Sequence, residues 1–99
     1  MYILEVLNGP LDGKMWTFDR EITIGRDDAV AGACITLDRY ISRRHACVRQ
    51  DGDRLVLADL ASRNGTRVGE RAVTETPLAP GERFIIGRTL LRVTRATTP

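Results

Sequence analysis

One lysine, one histidine and two cysteines stand among the 99 residues, and each shortage removes a class of protein. Cys34 and Cys47 cannot make a disulfide framework, and with His45 alone beside them they fall short of the four ligands of a structural zinc site. They are read as reduced thiols, and neither a metal nor any other cofactor is expected. No apolar run nears the ~20 residues of a membrane-spanning helix. The opening Met1-Tyr2-Ile3-Leu4-Glu5 lacks the basic start and long apolar stretch of a signal peptide. The expectation is a cytoplasmic protein without a membrane partner. Net charge is only +2, and Tyr40 is the one aromatic residue in the arginine-rich segments, which argues against nucleic acid as the partner.

The rest is ordinary for a folded domain: 42% hydrophobic and 28% charged residues. A chain of 99 residues suits one domain, which buries about two thirds of the surface it exposes when unfolded. It is read as a single domain over 1–99, with its core between about 3 and 93 and residues 94–99 as a tail or the start of a linker. It is expected as a monomer or as part of a larger protein. All but Lys14 of the fifteen cationic residues are arginine. A GC-rich, bacterial source explains most of that bias, yet arginine is also the better fork for phosphate, so position decides its meaning.

Short β-rich segments alternate with turn signals, and no segment has helical periodicity. Tyr2 to Leu7 runs into Asn8-Gly9-Pro10 and Asp12-Gly13; Met15 to Phe18, Ile22 to Ile24, Ile35 to Leu37, Ala46 to Arg49, Leu55 to Leu57, Phe84 to Ile86 and Leu90 to Val93 follow. Strands at this spacing predict an all-β sandwich. Alternation assigns its core to Ile3, Trp16, Phe18, Ile22, Ile24, Ile35, Leu37, Ala46, Val48, Leu55, Leu57, Phe84, Ile86, Leu91 and Val93.

Three polar clusters fall where strands end: Gly25-Arg26, Ser42-Arg43-Arg44-His45 and Ser62-Arg63-Asn64-Gly65-Thr66. Loops on a rigid sandwich are where binding residues sit. Arg26, Ser42, Arg43 and Arg63 are donors suited to phosphate oxygens, and the Asn64 amide can hold an extended peptide backbone. Gly65 supplies the positive φ that a tight turn after asparagine needs. No carboxylate lies within these clusters to repel a dianion. Ser42 and His45 are close in sequence, but a serine triad also needs an orienting acid and an oxyanion site, so an enzyme is not expected. Asp59 is read simply as the end of the Leu55–Leu57 strand.

The order Gly25-Arg26, Ser42-x-x-His45, Asn64-Gly65, with Ile35-x-Leu37 between the first two and Pro77-Leu78-x-x-Gly81-Glu82-x-Phe84-x-Ile86-Gly87 closing the chain, resembles the forkhead-associated (FHA) domain. The resemblance runs from about Ile3 to Val93. It implies an eleven-stranded β-sandwich of two twisted antiparallel sheets whose apical loops recognise phosphothreonine peptides. Carried over by motif, Arg26 and Ser42 contact the phosphate, Arg43 lies at the phosphate or the adjoining backbone, and Asn64 holds the peptide main chain with Arg63 beside it. Gly25, His45, Gly65 and Thr66 are implied as structural support. Two positions depart from the family pattern. Cys34 replaces a small polar or acidic residue, and Arg63 stands where some members have threonine. Asp27 and Asp28, close to Arg26, either partly neutralise it or help to choose peptide residues.

The function implied is phosphothreonine-peptide recognition in kinase signalling, with a serine/threonine-kinase substrate or a kinase itself as the partner. An alternative keeps the fold but gives it an unphosphorylated protein partner on a sheet face. Arg39, Arg44, Arg67 and Arg71 are read as a solvated rim that favours acidic peptides.

Overall fold

A computed structural model describes residues 1–96. Eleven strands form in chain order: β1 Tyr2–Val6, β2 Met15–Phe18, β3 Glu21–Gly25, β4 Ala33–Cys34, β5 Ala46–Asp51, β6 Arg54–Asp59, β7 Thr66–Val68, β8 Arg71–Val73, β9 Glu75–Leu78, β10 Arg83–Ile86 and β11 Thr89–Arg95. They pair into a six-stranded sheet, β2-β1-β11-β10-β7-β8, and a five-stranded sheet, β4-β3-β5-β6-β9. Each pairing is antiparallel except β3 with β4, which is parallel. The two inner faces enclose one core, with Leu4, Ile24, Leu57, Phe84, Ile86 and Leu91 fully buried. No helix among the described residues is long and apolar enough to cross a membrane.

Twelve of the fifteen expected core residues are buried, from Phe18 to Val93; Ile3, Trp16 and Leu37 are not. Glu5 is the one charge between Tyr2 and Leu7 and marks the face it shares with Ile3 as the outer one, against the assignment of Ile3 to the core. Pairing agrees: Leu4 lies opposite both Val93 and Trp16, which turns Tyr2, Leu4 and Val6 inward and Ile3 outward. A one-residue slip of register exchanges the two faces. Trp16 does point inward, but its strand lies at a sheet edge, so the ring packs on the core while staying partly open. Its outer side carries the Lys14 ammonium at 5.7 Å from the ring centroid.

Ile35–Leu37 is not a strand; pairing stops at Cys34, and Leu37 is left 65% exposed. Ile41, unassigned from sequence, fills the core from the same loop. Cys47, expected on the outer side, is buried there beside Val56 and Ala58. β11 continues through Thr94 and Arg95, which lie opposite Ile3 and Tyr2. Of the segment expected as a tail, residues 97–99 lie outside the described residues.

Candidate functional site

The three polar clusters converge. Arg26 follows the last residue of β3, Ser42 and Arg43 lie in the β4–β5 loop, and Arg63 and Asn64 lie in the β6–β7 loop. All five line one open cup of about 210 Å³, together with Arg39, Tyr40 and Ile41.

The loops hold one another by main-chain geometry. The Arg26 amide donates to the Ser42 carbonyl at 3.0 Å and the Asp27 amide to the Arg43 carbonyl at 3.3 Å. That approach leaves no room for a side chain at Gly25: a Cβ there collides with the Arg43 carbonyl oxygen and comes within 2.8 Å of its carbon. Arg26 Nε donates to the Ile41 carbonyl at 3.0 Å, which fixes the guanidinium while leaving its terminal nitrogens for a ligand.

His45 is the buried tie. Its Nδ1 accepts the Ser42 amide at 3.0 Å, so Nε2 carries the ring proton and donates to the Gly65 carbonyl at 2.8 Å. The fully buried ring thus joins the second loop to the third. Gly65 adopts a φ of 84°, the left-handed turn that glycine permits. Ser42 Oγ accepts the Arg63 amide at 3.0 Å, which leaves its own hydroxyl proton to donate. Asn64 Nδ2 donates to the Tyr40 carbonyl at 2.8 Å, leaving the amide oxygen and a second N–H.

Asp59 organises the third loop, a role the sequence reading missed. It accepts the Ser62 amide at 3.0 Å and the Ser62 and Thr66 hydroxyls at 2.5 and 2.7 Å. Partial burial works to raise its pKa. The hydrogen bonds from Ser62 and Thr66, helped by the nearby His45, outweigh that and hold it below the usual carboxylate range. Asp59-x-x-Ser62 is a side-chain turn spacing, so a signal for this role was present. Thr66 sits beneath the cup and takes part through this bond alone among the described residues.

Arg39, read from sequence as part of a solvated rim, and Tyr40 also line the cup. The backbone that places them is set by Asp38, whose carboxylate accepts the Tyr40 amide at 3.0 Å and the Arg88 amide and Thr89 hydroxyl at 2.7 Å each. Asp27 and Asp28 make no ion pair with Arg26 among the described residues; Asp27 instead accepts the Ala29 amide at 3.0 Å. The Cys34 thiol donates to the Arg26 carbonyl at 3.5 Å. Desolvation, then Asp28 and Asp27, push its pKa up, and it stays a thiol at neutral pH.

Chemically the cup offers guanidiniums, a hydroxyl and an amide, with no carboxylate in its lining. It does not offer an activated nucleophile. His45 meets Ser42 through the backbone amide rather than the hydroxyl, and both ring nitrogens are taken. No group of three or more metal-ligating side chains gathers among the described residues.

Known proteins share this frame. The chain is 31% identical over 86 residues to an oxoglutarate dehydrogenase inhibitor of Corynebacterium jeikeium, covering 87% of this chain and 59% of that protein. It is 46% identical over 50 residues to the FHA domain-containing protein FhaA of Mycobacterium tuberculosis, covering half of this chain and 10% of that protein. It therefore spans only part of each curated relative. The crystal structure of the FHA domain of the CT664 protein from Chlamydia trachomatis superposes with a TM-score of 0.88 at 27% identity, covering 97% of this chain and 98% of that one. An FHA domain studied for phosphothreonine-dependent interactions superposes with a TM-score of 0.83 at 32% identity, covering 98% of each chain. Residues 22–87 match the FHA domain itself, from the strand that leads into Arg26 to the turn after Ile86. The chain belongs to the FHA domain family.

Proposed function

We propose that this domain binds a phosphothreonine-containing segment of another protein and performs no chemistry on it. The observation that carries the reading is the cup: Arg26, Ser42, Arg43 and Arg63 face one space that no carboxylate lines. A phosphothreonine brings about −1.5 to −2 charges and three acceptor oxygens. Arg26 and Ser42 take the phosphate, Arg43 the phosphate or the adjoining backbone, and Asn64 the peptide main chain with Arg63 beside it.

Charge-assisted hydrogen bonds contribute about 1.5–3 kcal/mol each. Two or three of them, with Asn64, offset the ordering of a flexible peptide and reach the roughly −8 kcal/mol of micromolar binding. The frame is rigid before the ligand arrives, because His45 and Asp59 already fix the loops, so little is spent on ordering them. The FHA domain studied for phosphothreonine-dependent interactions, similar along nearly the whole chain, supports the same reading.

The test is calorimetric titration with one peptide in phosphothreonine, phosphoserine and unmodified forms, beside Arg26→Ala. Micromolar binding of the phosphothreonine form, weakened roughly 50-fold in Arg26→Ala with the fold intact by circular dichroism, is expected from the loss of one to two such bonds. Binding indifferent to the phosphate or to Arg26 overturns the reading and moves the search to the sheet faces.

A further inference from the structure

Each sheet has two edge strands: β2 and β8 in the six-stranded sheet, β4 and β9 in the five-stranded one. An edge offers a row of free amides and carbonyls to any further strand, and proteins blunt it with shortness, charge or proline. All but β2 are blunted in that way. β4 has only two residues, β8 has three and begins on Arg71, and β9 carries both Glu75 and Pro77. β2, Met15-Trp16-Thr17-Phe18, has neither a charge nor a proline. Lys14 precedes it, but its ammonium lies over the Trp16 ring, 5.7 Å from the centroid.

The backbone of β2 is set for pairing. The Val6 amide donates to the Lys14 carbonyl at 2.9 Å, and from there the bonded pairs alternate along β1–β2, falling at Leu4–Trp16 and Tyr2–Phe18. Met15 and Thr17 therefore turn their amides and carbonyls to the open side, where no backbone group meets them among the described residues. Both side chains are exposed, Met15 to 54%. Trp16 between them is half-buried, its ring packed on the core with one side open.

The same four residues complement themselves. In an antiparallel pair of β2 strands about a two-fold axis, Met15 lies opposite Thr17 of the second copy, and Trp16 opposite its own equivalent. Met15 and Thr17 then exchange backbone bonds on both sides of the axis. The Trp16 residues form the closer, non-bonded pair, with Cα atoms about 4.5 Å apart, where aromatic side chains stabilise a sheet. Lys14 falls opposite Phe18, so no like charges oppose each other at these positions.

We propose that this chain associates with a second copy of itself by pairing β2 edge to edge, which makes one continuous sheet across both domains. Met15 lies toward the cup end of β2, beside the end of β1 that reaches Leu90, and Phe18 lies toward the other. The antiparallel pair therefore carries its cups at opposite ends. Both cups stay open, and the association does not depend on what they bind. The shared edge is short, well below the roughly 1,200–2,000 Å² of a standard interface, so the pair is weak and forms as concentration rises.

Sedimentation equilibrium and tryptophan emission of the whole chain test it together. Trp16 is the single tryptophan, so its emission reports on this edge alone. From about 10 μM to about 1 mM, the mean mass should rise toward that of a dimer. Over the same range the emission maximum should move to the blue as the open side of the ring is covered. Thr17→Pro removes an outward amide without touching the pairing with β1, and should weaken association roughly tenfold with the fold intact by circular dichroism. Met15→Lys, which faces Glu5 within its own chain, should weaken it about threefold, and so should Thr17→Glu. The double variant Met15→Lys/Thr17→Glu sets base opposite acid across the axis and should restore association to within about twofold of wild type. A monomer throughout this range overturns the proposal. So does association that Thr17→Pro and Met15→Lys both leave intact, that the double variant fails to recover, or that grows without any change in Trp16 emission.

Discussion

On the outer sheet faces, guanidiniums meet carboxylates. Glu5 lies opposite Arg92 in the β1–β11 register and accepts from its Nε and Nη2 at 3.1 and 2.9 Å, while Arg49 reaches Glu75 at 2.8 Å. In the apical cup, four arginines gather and no carboxylate lines the space with them. Strand pairing brings side chains on one face to within reach of one another, so an acid can be set beside each base. Loops impose no such neighbour, and these loops spend their acids on amides and hydroxyls instead. The same residue type is therefore paired with acids in one region and gathered without an acid in the lining in the other. The buried His45 and Thr66 spend their polar atoms on bonds within the loops that form the cup.

The largest effect is expected where the frame supports the cup. His45→Ala leaves the Ser42 amide and the Gly65 carbonyl without their partner and opens a cavity, a loss of about 3 kcal/mol by urea unfolding. For a domain this size that lowers the melting temperature by roughly 12 °C or more. Peptide binding should weaken even at temperatures where the variant is folded, because the second and third loops are no longer tied. A variant that unfolds like wild type breaks the division between frame and cup.

Acid gives the intermediate effect. Asp59 is depressed in the folded state, so its contribution is present above the ordinary carboxylate pKa of about 3.9 and is lost as pH falls through its own lower value. Stability should therefore drop below about pH 4. In Asp59→Asn, which cannot titrate, the difference in stability between pH 6 and pH 3 should shrink, at a cost of about 2 kcal/mol at pH 6 from the weakened bonds to Ser62 and Thr66. An unchanged difference assigns the acid sensitivity to other carboxylates.

The smallest effect belongs to the sheet faces. Arg92→Gln removes a partly exposed pair with Glu5, worth at most about 1 kcal/mol, and should leave phosphopeptide affinity unchanged within twofold. A large loss of affinity from this substitution breaks the comparison, since it requires the sheet face to take part in binding.

Much of this was legible in the residues. Alternation chose the inward face where polar residues marked the outward one, as at Ile22-Thr23-Ile24, and misplaced Ile3, whose face is mostly apolar and marked as outward by Glu5 alone. The chemistry-bearing clusters stood out because donors without acids at strand ends are rare in a charged sequence. Arg39 did not stand out. As a lone arginine before Tyr40 it is indistinguishable from the arginines of a solvated surface.

The sequence alone determined the class of the fold, most of its core and five of the residues that line the cup, because apolar periodicity and turn residues are local signals. Only the tertiary structure decided why Leu37 lies open, that His45 joins two loops twenty residues apart, and that Arg39 shares a space with Arg26. Those facts come from register and loop packing, which depend on partners distant in the chain.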